Sequence, residues 1–368
     1  MILLIPGPVT TRPEVRAALN CDLAPWDNDF RPFYSAIRQR VLRIAGGRDG
    51  EHAALPLQGC GHFITEAAIR TFVPPGKKLL IPSTGAYAER MARLAREAGR
   101  VPVPLPVSPV ARAEPAAVAA ALEADPEIDH LGMVYSETGT GVVHDVPAIA
   151  AAVGRRVIVD AVSAFGACPL DISAHPEIDA VVFTSNKCME GVPGIAFAVC
   201  PIERLMACAG NAASWSLDLA DIYRHALRHG WGSFRFTPPA QVLNAFKTAL
   251  DLFDAEGGQP GRLARYTANM RVLYDGARAL GLRPCLSQEM QGPIIVNIQA
   301  PDDPRWDLQA FVDALKRHGF LISNFYDTEM PSFRVGCIGA ITPEIMRRFV
   351  AVVGEVLGEL GFNRRQAA

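Results

Sequence analysis

Between residue 53 and about residue 199 the sequence alternates short apolar runs with amphipathic stretches, and this alternation constrains the fold more than any other feature. The apolar runs are typical of buried strands and lie at residues 79–81, 131–134, 157–159 and 181–183. The stretches between them show helical periodicity, as in residues 64–72, 86–98 and 116–124. This order predicts an α/β fold with a mostly parallel sheet, covered by helices on both faces, that binds ligands at the carboxyl ends of its strands.

A different pattern follows residue 238. Two helical periods are separated by the breaker sequence EGGQPG at residues 256–261, and a strand, a helix, two short strands and a last helix come after it. We expect these elements at residues 238–253, 262–280, 294–298 and 308–318, around Leu321 and Arg334, and from Pro343 onward. They predict a smaller C-terminal α+β domain. We therefore divide the chain into an N-terminal segment packed on the small domain (1–15), a large domain (16–257) and a small domain (258–368).

The composition indicates a cytoplasmic protein. The 368 residues carry 36 Lys and Arg against 38 Asp and Glu, a net charge of −2 that does not suggest a nucleic-acid groove. The apolar N-terminus breaks at Pro6, and no apolar stretch reaches the roughly 20 residues that a membrane helix needs. The eight cysteines show neither a CxxC pair nor zinc-site spacing, so we expect reduced, mostly buried thiols and no bound metal.

Two chemically suggestive residues follow neighbouring predicted strands. Asp160 ends the strand Val-Ile-Val-Asp, and Lys187 follows another strand in Thr-Ser-Asn-Lys. Both side chains are expected to face one crevice, where a carboxylate can keep a pyridine nitrogen protonated and a desolvated lysine can form a Schiff base. A helix-capping Asp and a solvated Lys would fit these positions as well.

Three further groups converge on the same edge of the predicted sheet. Gly59-Cys60-Gly61-His62 leads into a helix that starts near Phe63, which favours either a phosphate site or a tight turn. Tyr87 follows the next strand and offers a ring for a flat cofactor or for the core. The loop 137–141 (Glu-Thr-Gly-Thr-Gly) offers hydroxyl groups or a capped turn. Arg334, flanked by apolar residues, needs an anion, either a substrate acid or a structural partner.

Taken together, these residues resemble the class V, fold-type I pyridoxal-phosphate aminotransferases. The likeness runs nearly end to end, from Pro6 to Gly339, and rests on the segments WDNDF (26–30), NKCMEGVPG (186–194), FRFTP (234–238) and FRVGCIG (333–339). It implies a large sheet domain with a smaller C-terminal domain and pyridoxal 5′-phosphate as cofactor. Lys187 would carry the cofactor as a Schiff base and shuttle protons, Asp160 would pair with the pyridine nitrogen, and Arg334 would bind the acidic end of each substrate.

The resemblance also assigns the remaining cofactor contacts. They are Cys60, Gly61, His62, Asn186 and Thr237 around the phosphate, Tyr87 and Val162 on the two faces of the ring, and Thr138 near the ring hydroxyl. Thr237 would reach in from a second subunit. This implies a homodimer with shared active sites.

The resemblance implies transamination between a small amine donor and a 2-oxo acid, and two substrate pairs stay open. The likeness favours the branch of the family that moves the amino group of 2-aminoethylphosphonate to pyruvate. The alternative is alanine or serine as donor with glyoxylate or pyruvate as acceptor. It is suggested by His62, by Gly139 where a hydroxyl residue is usual, and by the segment 324–329, which lacks an expected lysine and adds two acids.

A lyase such as a cysteine desulfurase is a less favoured alternative on the same fold. It would need a thiolate on a mobile loop near the substrate. Cys337 follows a predicted strand and Cys285 lies in a connection, and neither suits that task. A non-catalytic relative would be expected to lose Lys187 or Asp160, and both are present.

Overall fold

The computed structural model describes residues 1–324 and 331–362 of the chain. The strands in this part are β1 Ile2–Leu3, β2 His52–Gly59, β3 Lys78–Ser83, β4 Val101–Pro106, β5 Ile128–Val134, β6 Arg156–Asp160, β7 Ile178–Thr184, β8 Gly194–Pro201, β9 Ile295–Gln299, β10 Phe320–Leu321 and β11 Ser332–Gly336. The helices are α1 Pro13–Ala17, α2 Phe30–Ile44, α3 Gly61–Phe72, α4 Ala86–Glu97, α5 Pro115–Ala124, α6 Val146–Val153, α7 Ile202–Ala207, α8 Leu219–His229, α9 Ala240–Ala255, α10 Gly258–Ala279, α11 Leu308–Arg317 and α12 Pro343–Glu359.

Seven strands form the central sheet in the order β2-β8-β7-β6-β5-β3-β4. All of them run parallel except β8, which pairs antiparallel with both β2 and β7. The prediction of a mostly parallel α/β sheet is therefore confirmed. Because β5, β6 and β7 are parallel, their carboxyl ends lie at one edge, where Asp160 pairs with Val134 on one side and Val182 on the other.

Helices cover both faces of this sheet, which explains why its strands are almost continuously apolar. Along β6, Val157 and Val159 pack into the core beneath α2, α6 and α9, whereas Ile158 packs into the core beneath α3, α4 and α8. Side chains alternate across a strand, so each buried strand contributes to two cores. The sheet is thereby held rigidly between two helical layers, and its carboxyl edge is a fixed platform.

The remaining elements form a smaller body around β9 and β11, which pair antiparallel so that Arg334 lies opposite Asn297. A third hydrophobic core joins this pair to α10, α11 and α12. The N-terminal strand β1 pairs parallel with β10, and Leu4 is fully buried in the same core. In the part of the chain that the structure describes, no helix combines the length and apolar character needed to cross a bilayer.

At the breaker sequence 256–261, the helix boundaries differ from the prediction. Helix α10 starts at Gly258, four residues before the predicted start, and only Glu256 and Gly257, the latter at a φ of +96°, separate it from α9. Pro260 falls in the first turn of α10, where backbone N–H groups have no partner within the helix, so the proline does not break it. The predicted interruption is a two-residue connection between two helices.

Candidate active site

A cavity of about 220 Å³ opens at the carboxyl edge of the central sheet. Its lining includes eight of the residues singled out from the sequence: Cys60, Gly61, His62, Tyr87, Asp160, Val162, Asn186 and Lys187. Gly7, Thr65, Arg90, Met91, Leu94 and Thr184 line it as well. The fold thus brings most of the predicted site residues to one place.

Asp160, the last residue of β6, is held by two donors. The Val162 N–H donates to Oδ1 at 3.0 Å, and the Thr65 hydroxyl donates to Oδ2 at 3.4 Å. Burial raises the pKa of the Asp160 carboxyl, whereas these two hydrogen bonds lower it. The carboxylate is therefore fixed in orientation and suited to hold a proton shared with a ligand.

Lys187 lies in the turn between β7 and β8 and is 9% exposed. Burial, with smaller contributions from the charges of Arg334 and Arg90, lowers the pKa of its ammonium group from 10.5 to about 8. A β-carbon on Gly7 would lie 2.5 Å from the lysine Cδ, so the N-terminal segment approaches this side chain as closely as a glycine allows. A desolvated lysine of this kind is a competent nucleophile near neutral pH.

The start of α3 forms an anion-binding cradle. Cys60 is the N-cap and the helix begins at Gly61, two residues before the predicted start near Phe63. The backbone N–H groups of Gly61 and His62 therefore belong to the first helical turn, where they favour a phosphate. A β-carbon on Gly61 would lie 2.7 Å from the Val162 side chain, so the glycine permits the start of α3 to pack closely on Val162.

Asn186 and Thr184 border this cradle. The Thr184 hydroxyl donates to the Asn186 Oδ1 at 2.8 Å and to the Ile195 carbonyl at 3.1 Å. The first bond fixes the amide so that its Nδ2 group, a hydrogen-bond donor, is turned away from Thr184.

Tyr87 and Arg90 lie on the first turns of α4, one turn apart. The Arg90 guanidinium lies over the Tyr87 ring, 4.7 Å from its centroid. Beneath them the carboxyl of Glu137 faces the start of α4 and accepts from the Gly139 N–H at 3.2 Å. Burial raises the Glu137 pKa to about 7, although the backbone N–H groups of Gly139, Tyr87 and Ala88 lower it.

Thr138 and Arg334 connect the large sheet to the small body. The Thr138 hydroxyl lies 3.1 Å from that of Ser163, and the Thr138 carbonyl accepts from Nη1 of Arg334 at 3.0 Å. Nη2 of Arg334 donates to the Ser323 hydroxyl at 3.4 Å. Arg334 is only 4% exposed, and its charge reaches Lys187 strongly enough to lower the lysine pKa. A buried guanidinium of the small body therefore contacts the loop that follows β5.

Thr237 is not among the residues that line the cavity. It is exposed on the loop before α9, beside Phe236, which is 49% exposed at a φ of +67° and packs edge-on against the exposed ring of Trp215. Most of the segment 324–329, whose acids bear on the substrate prediction, lies outside the described residues. Within the described ranges, no cluster of three or more His, Cys, Asp or Glu side chains is arranged to hold a metal.

Comparison with known proteins decides the family. The sequence profile described as Aminotransferase class-V matches residues 28–258, well over half of the chain. The chain belongs to the class-V aminotransferases. Its cofactor is pyridoxal 5′-phosphate, and the fold-type I architecture predicted from the sequence is confirmed.

This aminotransferase is similar over its full length to proteins of one name. The chain is 43% identical over 370 residues to a 2-aminoethylphosphonate–pyruvate transaminase of Burkholderia ambifaria, covering 100% of this chain and 98% of that one. A protein of the same name from Pseudomonas aeruginosa is 41% identical over 362 residues, 98% of this chain and 96% of that one. Among solved structures, pyridoxamine-pyruvate aminotransferase from Mesorhizobium loti matches with a TM-score of 0.87 at 26% identity, covering 100% of this chain and 94% of that one.

The cavity of the aminotransferase fits its cofactor in chemistry. The cradle at Gly61 suits a phosphate, Asp160 suits a protonated ring nitrogen, and Lys187 suits an aldehyde carbon. Some lining residues escaped the sequence reasoning, among them Gly7, Thr65 and Arg90. The helical spacing of Arg90 from Tyr87 could have indicated that residue, whereas Gly7 and Thr65 reach the site through tertiary contacts.

The thiols do not favour a lyase. Cys337 is fully buried and Cys285 partly so, and burial raises the pKa of both, that of Cys285 to about 11. A thiol with a raised pKa is a poor nucleophile. Five of the eight cysteines are buried, as predicted, whereas Cys21 and Cys60 are exposed.

Proposed function

We propose that this aminotransferase moves the amino group of 2-aminoethylphosphonate to pyruvate, giving phosphonoacetaldehyde and L-alanine. The observation that carries the proposal is the buried guanidinium of Arg334, which is 4% exposed and donates to the Thr138 carbonyl where the small body meets the large sheet. A phosphonate and a carboxylate both match its planar fork. The full-length relatives at 41–43% identity support the phosphonate.

Lys187, Asp160 and Arg334 take the roles expected of them in this proposal. Lys187 holds the cofactor and moves a proton between substrate and cofactor carbons through its Nζ. Asp160 keeps the ring nitrogen protonated, and Arg334 fixes the acid of donor and acceptor in turn. When bound, pyridoxal phosphate supplies the electron sink that stabilises negative charge at the substrate carbon.

The other contacts hold the cofactor still. Cys60, Gly61, His62 and Asn186 bind the phosphate, Tyr87 and Val162 pack on the two ring faces, and Thr138 binds near the ring hydroxyl. Because Lys187 has a pKa near 8, an appreciable fraction of its amine is neutral at physiological pH. The lysine can then accept a proton without a second base, so positioning is the main task left to the protein.

We infer a cytoplasmic homodimer in which Thr237 of one subunit completes the phosphate site of the other. Thr237 is exposed, and the neighbouring Trp215 and Phe236 are 71% and 49% exposed. Exposed aromatic side chains next to a site residue support an interface there. We place the domain boundaries at residues 15 and 257. Sedimentation equilibrium tests the dimer, and a Thr237→Ala variant that stays dimeric should bind cofactor more weakly.

Alanine or serine with glyoxylate or pyruvate remains the second candidate, because His62 lines the cavity next to the cradle and could narrow it. The deciding experiment offers a panel of amine donors, with alanine formed from pyruvate or glycine formed from glyoxylate as readout. Turnover of 2-aminoethylphosphonate with pyruvate supports the proposal. Turnover of alanine with glyoxylate, and none of the phosphonate, refutes it in favour of the second candidate.

A further inference from the structure

A buried ionic cluster lies outside the cofactor cavity and has no part in the chemistry described above. It consists of Arg262, Arg265 and Tyr266 on the first turns of α10, with Glu256 and Glu190. Arg262 is 1% exposed and Tyr266 is fully buried. Two cations and two anions balance in charge, with Arg265 Nε donating to Glu256 at 2.6 Å and Arg262 Nε donating to Glu256 at 2.8 Å.

On one side, this cluster forms hydrogen bonds with the segment just after Lys187. Glu190, three residues along, has a φ of +57°, a left-handed conformation that a glutamate adopts only under constraint. The Tyr266 hydroxyl donates to Oε1 of Glu190 at 2.7 Å and lies 3.2 Å from the Cys188 carbonyl, which also accepts from Arg262. Arg265 donates to the same Glu190 oxygen at 2.5 Å.

On the other side, the cluster forms hydrogen bonds with the segment that follows β11, the strand that contains Arg334. The Gly339 N–H donates to the Tyr266 hydroxyl at 3.2 Å. Nη1 of Arg265 donates to the Ile341 carbonyl at 2.8 Å, and Nδ2 of Asn269 donates to the Cys337 carbonyl at 3.0 Å. The Tyr266 oxygen is therefore bonded on one side to the lysine turn and on the other to the end of the arginine strand.

We propose that Tyr266 is a positioning residue whose hydroxyl ties the turn of Lys187 to the strand end of Arg334 and so sets the substrate length that the site accepts. The inference rests on the proposed roles of those two residues. A donor must place its amine at the lysine while its acid lies on the arginine, so the separation of the two segments selects the number of carbons between amine and acid. A small misplacement of reacting groups is enough to lower a rate by about a hundredfold.

The test compares Tyr266→Phe with Tyr274→Phe. Tyr274 lies on the same helix, is 6% exposed and donates its hydroxyl hydrogen to the Leu286 carbonyl at 3.0 Å. Tyr274→Phe therefore removes a comparable buried hydroxyl that does not contact the Lys187 turn or the end of β11. The readout is two ratios: kcat/KM for 2-aminoethylphosphonate divided by kcat/KM for aminomethylphosphonate, and the same quotient with 3-aminopropylphosphonate. Tyr266→Phe is expected to lower these length ratios by roughly fivefold or more, and Tyr274→Phe to leave them within about twofold of the wild type.

Hydrogen–deuterium exchange of the cofactor-free protein gives a readout independent of turnover. In Tyr266→Phe the peptides containing residues 186–191 and 334–341 should exchange faster together, because one hydroxyl serves both. Tyr274→Phe should not change them. A length ratio unchanged by Tyr266→Phe, or faster exchange in only one of the two peptides, overturns the proposal.

A failure of the proposed function can be distinguished from a failure of the role proposed for Tyr266. If the wild type turns over no phosphonate amine, the proposed function fails, and the length ratio is measured instead on glycine, β-alanine and 4-aminobutyrate with the same expected narrowing. If Tyr266→Phe does not fold, Asn269→Ala releases the strand end alone and should narrow the ratio as well. An unchanged ratio in that variant counts against the proposal.

Discussion

Replacing Lys187 with methionine should stabilise the cofactor-free aminotransferase at neutral pH. Methionine keeps most of the apolar stem but removes the buried ammonium group. With a pKa of about 8 in the folded protein and 10.5 in the unfolded chain, the charged lysine destabilises the fold by about 3 kcal/mol at pH 7 and by about 2 kcal/mol at pH 9. This penalty is full below pH 8 and disappears as the pH rises past 10.5.

Urea unfolding at pH 7 and pH 9, at one protein concentration, measures the effect. The variant should be more stable than the wild type at pH 7, and the difference should shrink by roughly 1 kcal/mol at pH 9. Lys77→Met, at an exposed position in the turn before β3, is the control. Its stability difference from the wild type should be the same at pH 7 and pH 9. A difference that stays constant or grows with pH would refute the assignment of a desolvated lysine.

Three other substitutions test separate parts of the site. Gly7→Ala places a methyl group 2.5 Å from the Lys187 Cδ at a backbone φ of +135°, so cofactor binding, followed by absorbance, should weaken by roughly tenfold; unchanged binding would contradict this contact. Glu137→Gln removes a carboxyl whose pKa is raised from 4.5 to about 7, so ionised Glu137 destabilises the fold increasingly as the pH rises between these values. In thermal melts the variant should be more stable than the wild type by about 3 kcal/mol at pH 8 and by less than about 1 kcal/mol at pH 5, and the opposite order would rule the assignment out. Arg334→Ala should raise KM for both substrates by roughly ten- to a hundredfold while the cofactor spectrum is kept, and an unaltered KM would show that the acid binds elsewhere.

Much of the large sheet can be predicted from the sequence because its strands are buried on both faces. Val157 to Val159 form an unbroken apolar run, and the acid that ends it stands out for that reason. The antiparallel strand β8 could not be distinguished in the same way, because a buried strand has the same composition in either direction. The start of α3 was predicted two residues late, since Gly61 has a low helix propensity and the phosphate cradle depends on its backbone alone.

The residues that the sequence did not reveal act across large separations in the chain. Gly7 contacts Lys187, and Thr65 donates to Asp160. Neither contact leaves a local pattern, because a glycine in a loop and a threonine on a helix have many ordinary roles. Their function becomes visible only when the strands bring distant segments to the same edge.

The same geometry separates the reaction type from the choice of substrate. Lys187 and Asp160 follow strands of the large sheet, which two helical layers hold rigidly, whereas Arg334 lies on β11 and opposes Asn297 in the small body. Asn297 donates to the Gly139 carbonyl at 3.4 Å, next to the Thr138 carbonyl that Arg334 contacts. Changes around this strand pair can therefore move Arg334 relative to Lys187 while the sheet that carries Lys187 and Asp160 stays in place. Because the Tyr266 hydroxyl joins these two parts, we expect substrate length to depend on α10 as much as on the residues that touch the substrate.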